Sequence, residues 1–299
     1  MARSIVGSVA RRIESVLVLG ARGALGSRVA RQLRAGLAGA RVLVASRAGE
    51  AALGPGARRA DVRDEASLAR ALDGVELVVN AVGPYAYDPA PIVRACLAAR
   101  AAYVDLAEEP AFTAALYRAV AAGADAADAV FVPGCSTVPG LVEVVAQAFA
   151  PLAGLACVDA WLSLGSANPA SAGLLAGLLH PLGRPAPDGE VWFGRVVAHE
   201  VAGRRLAFGR YPSGLPRERL RVGARELPLR FHAGFDRALL TRALRLAAPA
   251  LARLPSSSAP ALARALAPAA RVARLVGTPR GALLVEARDT AGRRLGGVE

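Results

Sequence analysis

The stretch Val16–Gly26, VLVLGARGALG, constrains the fold of this chain more than any other part of the sequence. Four apolar residues are followed by glycines at 20, 23 and 26, and then by a segment whose apolar residues recur at helical spacing. A buried strand, a tight turn and a helix are therefore predicted. Such a turn lets a diphosphate approach the N-terminus of the helix, where the helix dipole favours negative charge. The candidate diphosphate-binding residues are Gly20, Ala21, Arg22, Gly23, Ala24, Leu25 and Gly26.

The glycine spacing, G-x-x-G-x-x-G, departs from the G-x-G-x-x-G form. From this turn onwards, strand-like and helix-like segments alternate. This alternation predicts an α/β fold with a doubly wound parallel sheet. The expected strands are 16–19, 41–45, 60–62, 75–80, 102–106 and 130–132, and the expected later helices are 65–72, 89–99, 111–122 and 141–149.

The end of the second predicted strand indicates which dinucleotide is bound. NAD-specific sites usually place an acidic residue there for the ribose hydroxyls, whereas this chain has Ser46 and Arg47. A hydroxyl and a guanidinium suit a 2′-phosphate, so NADP is favoured over NAD. Two alternatives remain open at this point: Arg47 is a solvated loop arginine, or Glu50 is the ribose acid.

Two further segments complete the expected cofactor site. Asp61 and Val62 follow the glycine-rich loop and are placed to lie near an adenine, with a helix cap as the alternative role of Asp61. The small residues Asn80, Ala81, Val82 and Gly83 end the fourth strand, at the edge where open α/β sheets bind ligands.

Composition excludes several function classes. The chain has 299 residues, 54% of them hydrophobic, and a formal charge of +13. It contains no lysine, which removes a P-loop lysine, a Schiff-base lysine and the Tyr-x-x-x-Lys pair of short-chain dehydrogenases. Because the arginines are spread along the chain and no nucleic-acid-binding motif accompanies them, we expect no nucleic-acid partner.

The cysteines and histidines predict no metal site and no disulfide framework. Three scattered cysteines fit a reducing, cytoplasmic location, and the three histidines lack ligand spacing. The longest uncharged run, 160–183, is interrupted by Asn168-Pro169, so no membrane span is expected.

The segment NAVGPYAYDPAPIVRACLAARAAYVDLAEEPAF, with GARGALG before it and GCSTVPGL after it, resembles the saccharopine dehydrogenase-like oxidoreductase family. The resemblance covers about residues 16–149 and implies an NADP-binding Rossmann domain followed by a second α/β domain. It assigns the glycine turn to the diphosphate, Ser46 and Arg47 to the 2′-phosphate, Asp61 and Val62 to the adenine side, and 80–83 to the ribose and nicotinamide. Glu108 stands where the family usually has glycine, which adds negative charge beside Glu109.

We therefore expect a leader at 1–14, a Rossmann domain at 15–135 and an α+β substrate or dimerisation domain at 136–299. In the second domain, strands are expected at 157–164, 190–198, 204–208 and 281–287, and helices at 170–179, 235–254 and 261–276. The last two helices are basic and amphipathic; they either pack on a sheet or lie on an anionic membrane surface. The family's usual C-terminal return helix is not expected after the final hairpin, and a partner subunit in a homodimer could supply its cover.

Few residues are candidates for chemistry. Tyr85, after the fourth strand, and Glu109, after the fifth, are the candidate proton-transfer groups. Packing and helix capping are their alternative roles. The sequence thus predicts an NAD(P)-dependent oxidoreductase acting on a small organic substrate. The alternatives are a dinucleotide-binding regulatory protein without turnover and a membrane-surface reductase acting on lipid.

Overall fold

A computed structural model describes residues 13–123, 129–168, 172–255 and 258–299. The predicted leader falls almost entirely outside the described residues. The strands are β1 (Ser15–Leu19), β2 (Arg41–Ser46), β3 (Arg58–Arg59), β4 (Leu77–Asn80), β5 (Ala102–Asp105), β6 (Phe131–Val132), β7 (Cys157–Leu164), β8 (Val196–Val201), β9 (Arg204–Arg210), β10 (Arg219–Val222), β11 (Arg225–Phe235), β12 (Ala282–Arg288) and β13 (Arg294–Val298). The α-helices are α1 (Ala24–Gly36), α2 (Glu50–Leu53), α3 (Glu65–Ala71), α4 (Ala90–Ala99), α5 (Pro110–Ala121), α6 (Val142–Ala146), α7 (Ala172–Leu179), α8 (Ala238–Ala252) and α9 (Ala259–Val276).

The contacts divide the chain into two compact units. The first comprises residues up to Leu106 together with Ala111–Pro133, and the second comprises Ala107–Pro110 with Gly134–Glu299. The short segment at 107–110 thus groups with the second unit, which the sequence did not predict.

The first unit is built on a six-stranded parallel sheet in the order β3-β2-β1-β4-β5-β6. The chain moves outward on one side of β1 and then restarts at β4 on its other side, as in a doubly wound Rossmann sheet. The predicted fold class is confirmed. The strand β1 is central and all five of its residues are buried, because helices cover both faces of such a sheet.

The second unit contains a mixed sheet in the order β13-β12-β7-β11-β9-β8, with β10 paired to β11. Its central strands β7 and β11 run parallel, whereas β12 and β9 pair antiparallel to them. One face of this sheet packs against helices, and residues such as Leu229 and Phe231 meet Val142 and Ala248 in the core.

Several expected elements were misplaced. The third strand lies at Arg58–Arg59 rather than 60–62, because it pairs with Ala45 and Ser46 of β2. The strand expected at 190–198 begins only at Val196. The helix expected from 235 begins at Ala238, because Phe235 still belongs to β11, where it pairs with Leu164.

The described part of the chain contains no helix that is both long and apolar enough to cross a bilayer.

Candidate functional site

The glycine turn lies at the carboxyl end of β1, next to the end of β4. Gly20 has a φ of +77°, and a Cβ at this position would stand 2.8 Å from the carbonyl oxygen of Ala81. A Cβ on Gly26 would collide with the carbonyl oxygen of Gly20. The first glycine therefore permits the turn and the close approach to β4, and the last allows α1 to pack on the turn.

The N-terminus of α1 is open to an anion. Its N-cap is Gly23, which has no side chain to satisfy the first N–H groups, and no acidic residue stands in the first turn. Those N–H groups and the helix dipole point to the edge of the sheet where β1 ends. The turn thus has the shape and the polarity that a diphosphate requires.

The side chain of Asn80 holds the end of β4 in place. Its amide nitrogen donates to the hydroxyls of Tyr87 and Tyr103 at 2.9 Å each, and its amide oxygen accepts from the backbone N–H of Val82 at 3.1 Å. The hydroxyl of Tyr103 in turn donates to Asp105 at 2.8 Å. Burial, with the negative charge of Asp105, raises the pKa of Tyr103 well above its usual value. Since Asn80 is fully buried, 80–83 can offer a ligand mainly its backbone.

Tyr85 also stabilises the loop at 80–83, through hydrogen bonds of its hydroxyl. Its hydroxyl donates to the carbonyl oxygen of Asn80 at 2.8 Å and accepts from the backbone N–H of Leu106 at 3.2 Å. Its ring packs against Phe112 with centroids 5.0 Å apart. These bonds join the ends of β4 and β5, which is a positioning role.

A pocket of about 340 Å³ opens beyond β2 and β3. It is lined by Arg47, Arg59, Asp61, Asp64, Ser67 and Arg70. Sequence reasoning proposed Arg47 but missed Arg59 and Arg70, because only the fold brings α3 beside the end of β2.

The two arginines of β3 have different roles. Neighbouring residues of a strand point to opposite sides. Arg58 donates to the carbonyl oxygens of Ala71 and Asp73 at 2.6 and 2.7 Å, whereas Arg59 lines the pocket. Alternation would have separated them only with the strand placed at 58–59, whereas the sequence predicted it at 60–62.

Ser46, at the end of β2, and the two aspartates of the pocket differ in their hydrogen bonds. The buried Oγ of Ser46 has no hydrogen-bond partner among the described residues. Asp64, not Asp61, caps α3 by accepting from the N–H of Ser67 at 3.1 Å. Asp61 instead accepts from the N–H of Arg63 at 3.1 Å. The helix-cap alternative for Asp61 is therefore wrong.

The structure also gives the contacts of Glu50 and the burial of Val62, two further residues proposed from the sequence. The carboxylate of Glu50, the alternative ribose acid, accepts from the N–H of Gly56 at 2.8 Å and so closes its own loop. The side chain of Val62 is buried. Its backbone contact with an adenine stays a prediction.

Two glutamates follow β5, within the segment that belongs to the second unit. Burial raises the pKa of the Glu108 carboxyl to about 6, although a hydrogen bond with Ser136 lowers it. Glu108 and Glu109 are both exposed residues by surface area, so the raised pKa of Glu108 reflects protein packed around its carboxyl group rather than a fully buried side chain. The carboxyl whose pKa is raised thus belongs to Glu108, which stands where the resembling family usually has glycine.

Two of the three histidines of the second unit, His199 and His232, pack around a tryptophan. Trp161 stacks between His199 and His232, with ring centroids 4.0 and 3.9 Å away. Burial lowers the pKa of His232 to about 4. No group of three or more potential ligand side chains suited to a metal ion occurs in the described ranges.

A family model matches much of the first unit. Residues 16–132 match the family model described as Saccharopine dehydrogenase NADP binding domain. No curated protein matches the sequence.

Solved structures resemble the chain at low identity. Saccharopine dehydrogenase (L-Glu forming) from Saccharomyces cerevisiae is 18% identical with a TM-score of 0.51; the match covers 73% of this chain and 55% of the yeast chain. The chain therefore spans little more than half the length of that protein, and the likeness concerns the fold. The NADPH-dependent quinone oxidoreductase QOR2 of Escherichia coli, complexed with NADPH, is 25% identical over 40% of this chain and 47% of its own, with a TM-score of 0.32. GenD2 from gentamicin A biosynthesis, in complex with NAD, is 18% identical over 97% of this chain and 74% of its own, with a TM-score of 0.41.

Proposed function

We propose that this chain, whose residues 16–132 match the family model described as Saccharopine dehydrogenase NADP binding domain, is an NADP-dependent oxidoreductase acting on a small organic substrate. The observation that carries the proposal is one edge of the parallel sheet. There the open N-terminus of α1 and the arginine-lined pocket follow neighbouring parallel strands, β1 and β2.

The residues present fit an NADP molecule. Gly20 and Gly26 leave the space that a diphosphate needs, and the unpartnered hydroxyl of Ser46 lies at the end of β2. Arg47, Arg59 and Arg70 supply the charge for a 2′-phosphate, since guanidinium groups pair with phosphate oxygens. NAD is the alternative cofactor that the same turn would accept.

The bound cofactor would supply the hydride. The chain itself would hold the diphosphate on the N–H groups of the turn and support the ribose and nicotinamide on the backbone of 80–83. Asn80 keeps that backbone in place through Tyr87 and Tyr103. Tyr85 and Glu109 stay the predicted proton-transfer groups.

Tyr85→Phe distinguishes the roles of that tyrosine. A proton donor would lose turnover and keep its affinity for NADPH, whereas a positioning residue would lose both, because the 80–83 loop is loosened. Glu109→Gln, measured across pH, tests whether the carboxyl of Glu109 controls the rate.

The first experiment is a fluorescence titration of the purified chain with NADPH and NADH, followed by a screen of carbonyl and imine compounds with NADPH consumption as the readout. Tight NADPH binding with turnover supports the proposal. Binding without turnover of any compound would favour a dinucleotide-binding regulatory protein. Failure of both nucleotides to bind would refute the oxidoreductase assignment. The proposal also includes a cytoplasmic location, which cell fractionation tests, and a homodimer, which light scattering tests.

A further inference from the structure

The helices α8 and α9 lie in a part of the chain with an extreme charge bias. Residues 238–285 contain no aspartate and no glutamate, although the whole chain has 24 acidic residues. The same segment contains seven arginines, which are Arg242, Arg245, Arg253, Arg264, Arg271, Arg274 and Arg280. All of the ion pairs found within the described residues involve other arginines or a histidine. The positive charge of this segment is therefore available to a partner.

Large apolar side chains stand among these arginines on the solvent side. Leu239 and Leu246 of α8 are 76% and 74% exposed, and Leu275 of α9 is 84% exposed. Residues three and four positions apart are neighbours on a helix surface, so Arg242 lies between the two leucines of α8. Likewise Arg271 lies one turn before Leu275. We call these two exposed surfaces the arginine–leucine faces.

The opposite sides of the two helices are occupied within the second unit. Ala248 of α8 and Ala263 of α9 are buried, and α8 packs on β9 and β11 while α9 packs on α7. The leucines are therefore not part of the protein core. Exposing apolar side chains of this size to water costs free energy that a partner surface could recover.

We propose that the arginine–leucine faces dock on the surface of an anionic lipid bilayer. The arginines would pair with lipid phosphate groups, and the leucines would enter the boundary between headgroups and acyl chains. This inference is independent of the proposed oxidoreductase function.

The charge pattern selects this occupant over others. A second copy of the chain would bring the same positive, acid-free face against itself in a two-fold interface, and like charges oppose that contact. A nucleic acid would use the arginines but not the leucines, and residues 238–285 contain no aromatic side chain on which a base could stack. A bilayer with anionic headgroups uses both parts of the faces.

The test is sedimentation of the full chain with vesicles of phosphatidylcholine alone, or of phosphatidylcholine and phosphatidylglycerol in equal parts. We expect binding to the mixed vesicles, weakened by salt, and little binding to phosphatidylcholine. The triple variant Arg242→Gln, Arg264→Gln, Arg271→Gln should lower the partition coefficient roughly 100-fold, from about a factor of five for each basic residue near an anionic surface. The double variant Leu246→Ser, Leu275→Ser should lower it roughly tenfold, because less apolar surface leaves water.

Matched variants elsewhere control for total charge and apolarity. Arg31→Gln, Arg34→Gln and Arg118→Gln remove three exposed arginines of the first unit, and Val130→Ser with Val144→Ser removes two exposed apolar side chains. These controls should bind vesicles like the unaltered chain.

Three outcomes would overturn the proposal. Absence of binding to mixed vesicles excludes a membrane surface, and an equal loss in the control arginine variant reduces the effect to total charge. If duplex DNA displaces the chain from the vesicles, and the leucine variant binds that DNA as well as the unaltered chain does, the faces are a nucleic-acid surface instead. Unchanged circular dichroism and thermal unfolding show that each variant has folded.

Discussion

Replacing Arg47 by alanine should separate the binding of NADPH from the binding of NADH. Arg47 lines the pocket beyond β2 together with Arg59 and Arg70, and NADH lacks the 2′-phosphate that would fill this pocket. A hydrogen bond to a charged group contributes about 1.5–3 kcal/mol. Because the side chain of Arg47 is exposed and partly screened by solvent, we expect the lower end, about 1.5 kcal/mol, which is roughly a tenfold loss of affinity for NADPH.

The assay is a fluorescence titration with both nucleotides on the unaltered chain, Arg47→Ala, Arg59→Ala and Arg70→Ala. Arg31→Ala is the matched control, since it removes an exposed arginine of α1 that does not line the pocket. NADH affinity should stay within about twofold in every variant, because screening by salt leaves little long-range attraction. An equal loss of NADH and NADPH affinity in Arg47→Ala would refute a 2′-phosphate site.

Ser46→Ala tests the same site without removing a charge. The Oγ of Ser46 has no partner among the described residues, so its removal should leave the stability of the ligand-free chain unchanged or slightly higher. NADPH affinity should nonetheless fall by about 1.5 kcal/mol, the lower end for a hydrogen bond to a charged group. A drop in thermal stability without nucleotide would show that the hydroxyl serves the fold.

Three further perturbations follow from the geometry. Gly20→Ala should destabilise the chain by about 1–3 kcal/mol in a denaturant titration and abolish nucleotide binding, because the new Cβ meets the Ala81 carbonyl at a positive φ; normal binding would contradict this. Asp236→Ala should cost about 1.5–3 kcal/mol, because its carboxylate accepts from Ser166 and Thr278 and these bonds outweigh burial to lower its pKa; Asp236→Asn, which keeps an acceptor oxygen but not the charge, should also lose stability, and an unchanged stability would contradict a role for the charge. His232 binds its proton near pH 6.5 in the unfolded chain but only near pH 4 in the folded chain. The free energy of unfolding should therefore fall as the pH drops from 6.5 towards 4, by about 2 kcal/mol at pH 5. His232→Gln should flatten this pH dependence in thermal melts.

Local patterns were sufficient for the first unit. The apolar run at 16–19, the glycines and the helical spacing after them predict β1, the turn and α1, because each depends on neighbours in sequence. The third strand was misplaced because Ala60 and Val62 look more strand-like than Arg58 and Arg59, whereas pairing with β2 decides the matter. Propensity is a weaker influence than pairing for a strand of two residues.

The second unit was harder to predict because its longest strand has no simple pattern. β11 mixes charged residues, Pro228 and Gly234 with apolar ones, and it was not expected at all. Its parallel partner β7 was predicted with the correct bounds from CVDAWLSL. In the site, Arg47 could be proposed from its place after β2, but Arg70 belongs to a helix that only the crossover brings to the pocket.

The placement of β7 in the middle of its sheet determines when, during synthesis of the chain, the two edges of this strand become covered. β7 ends at Leu164, but its two neighbours begin only at Arg225 and Ala282, so one edge stays open while about 60 further residues are made and the other while more than a third of the chain is made. Closing such long loops is slow, and an open apolar strand can pair with other chains in the meantime. The first unit, whose strands are complete at Val132, can fold on the ribosome well before β7 is protected. A nascent chain halted before Ala282 would therefore carry a folded first unit and an aggregation-prone second one.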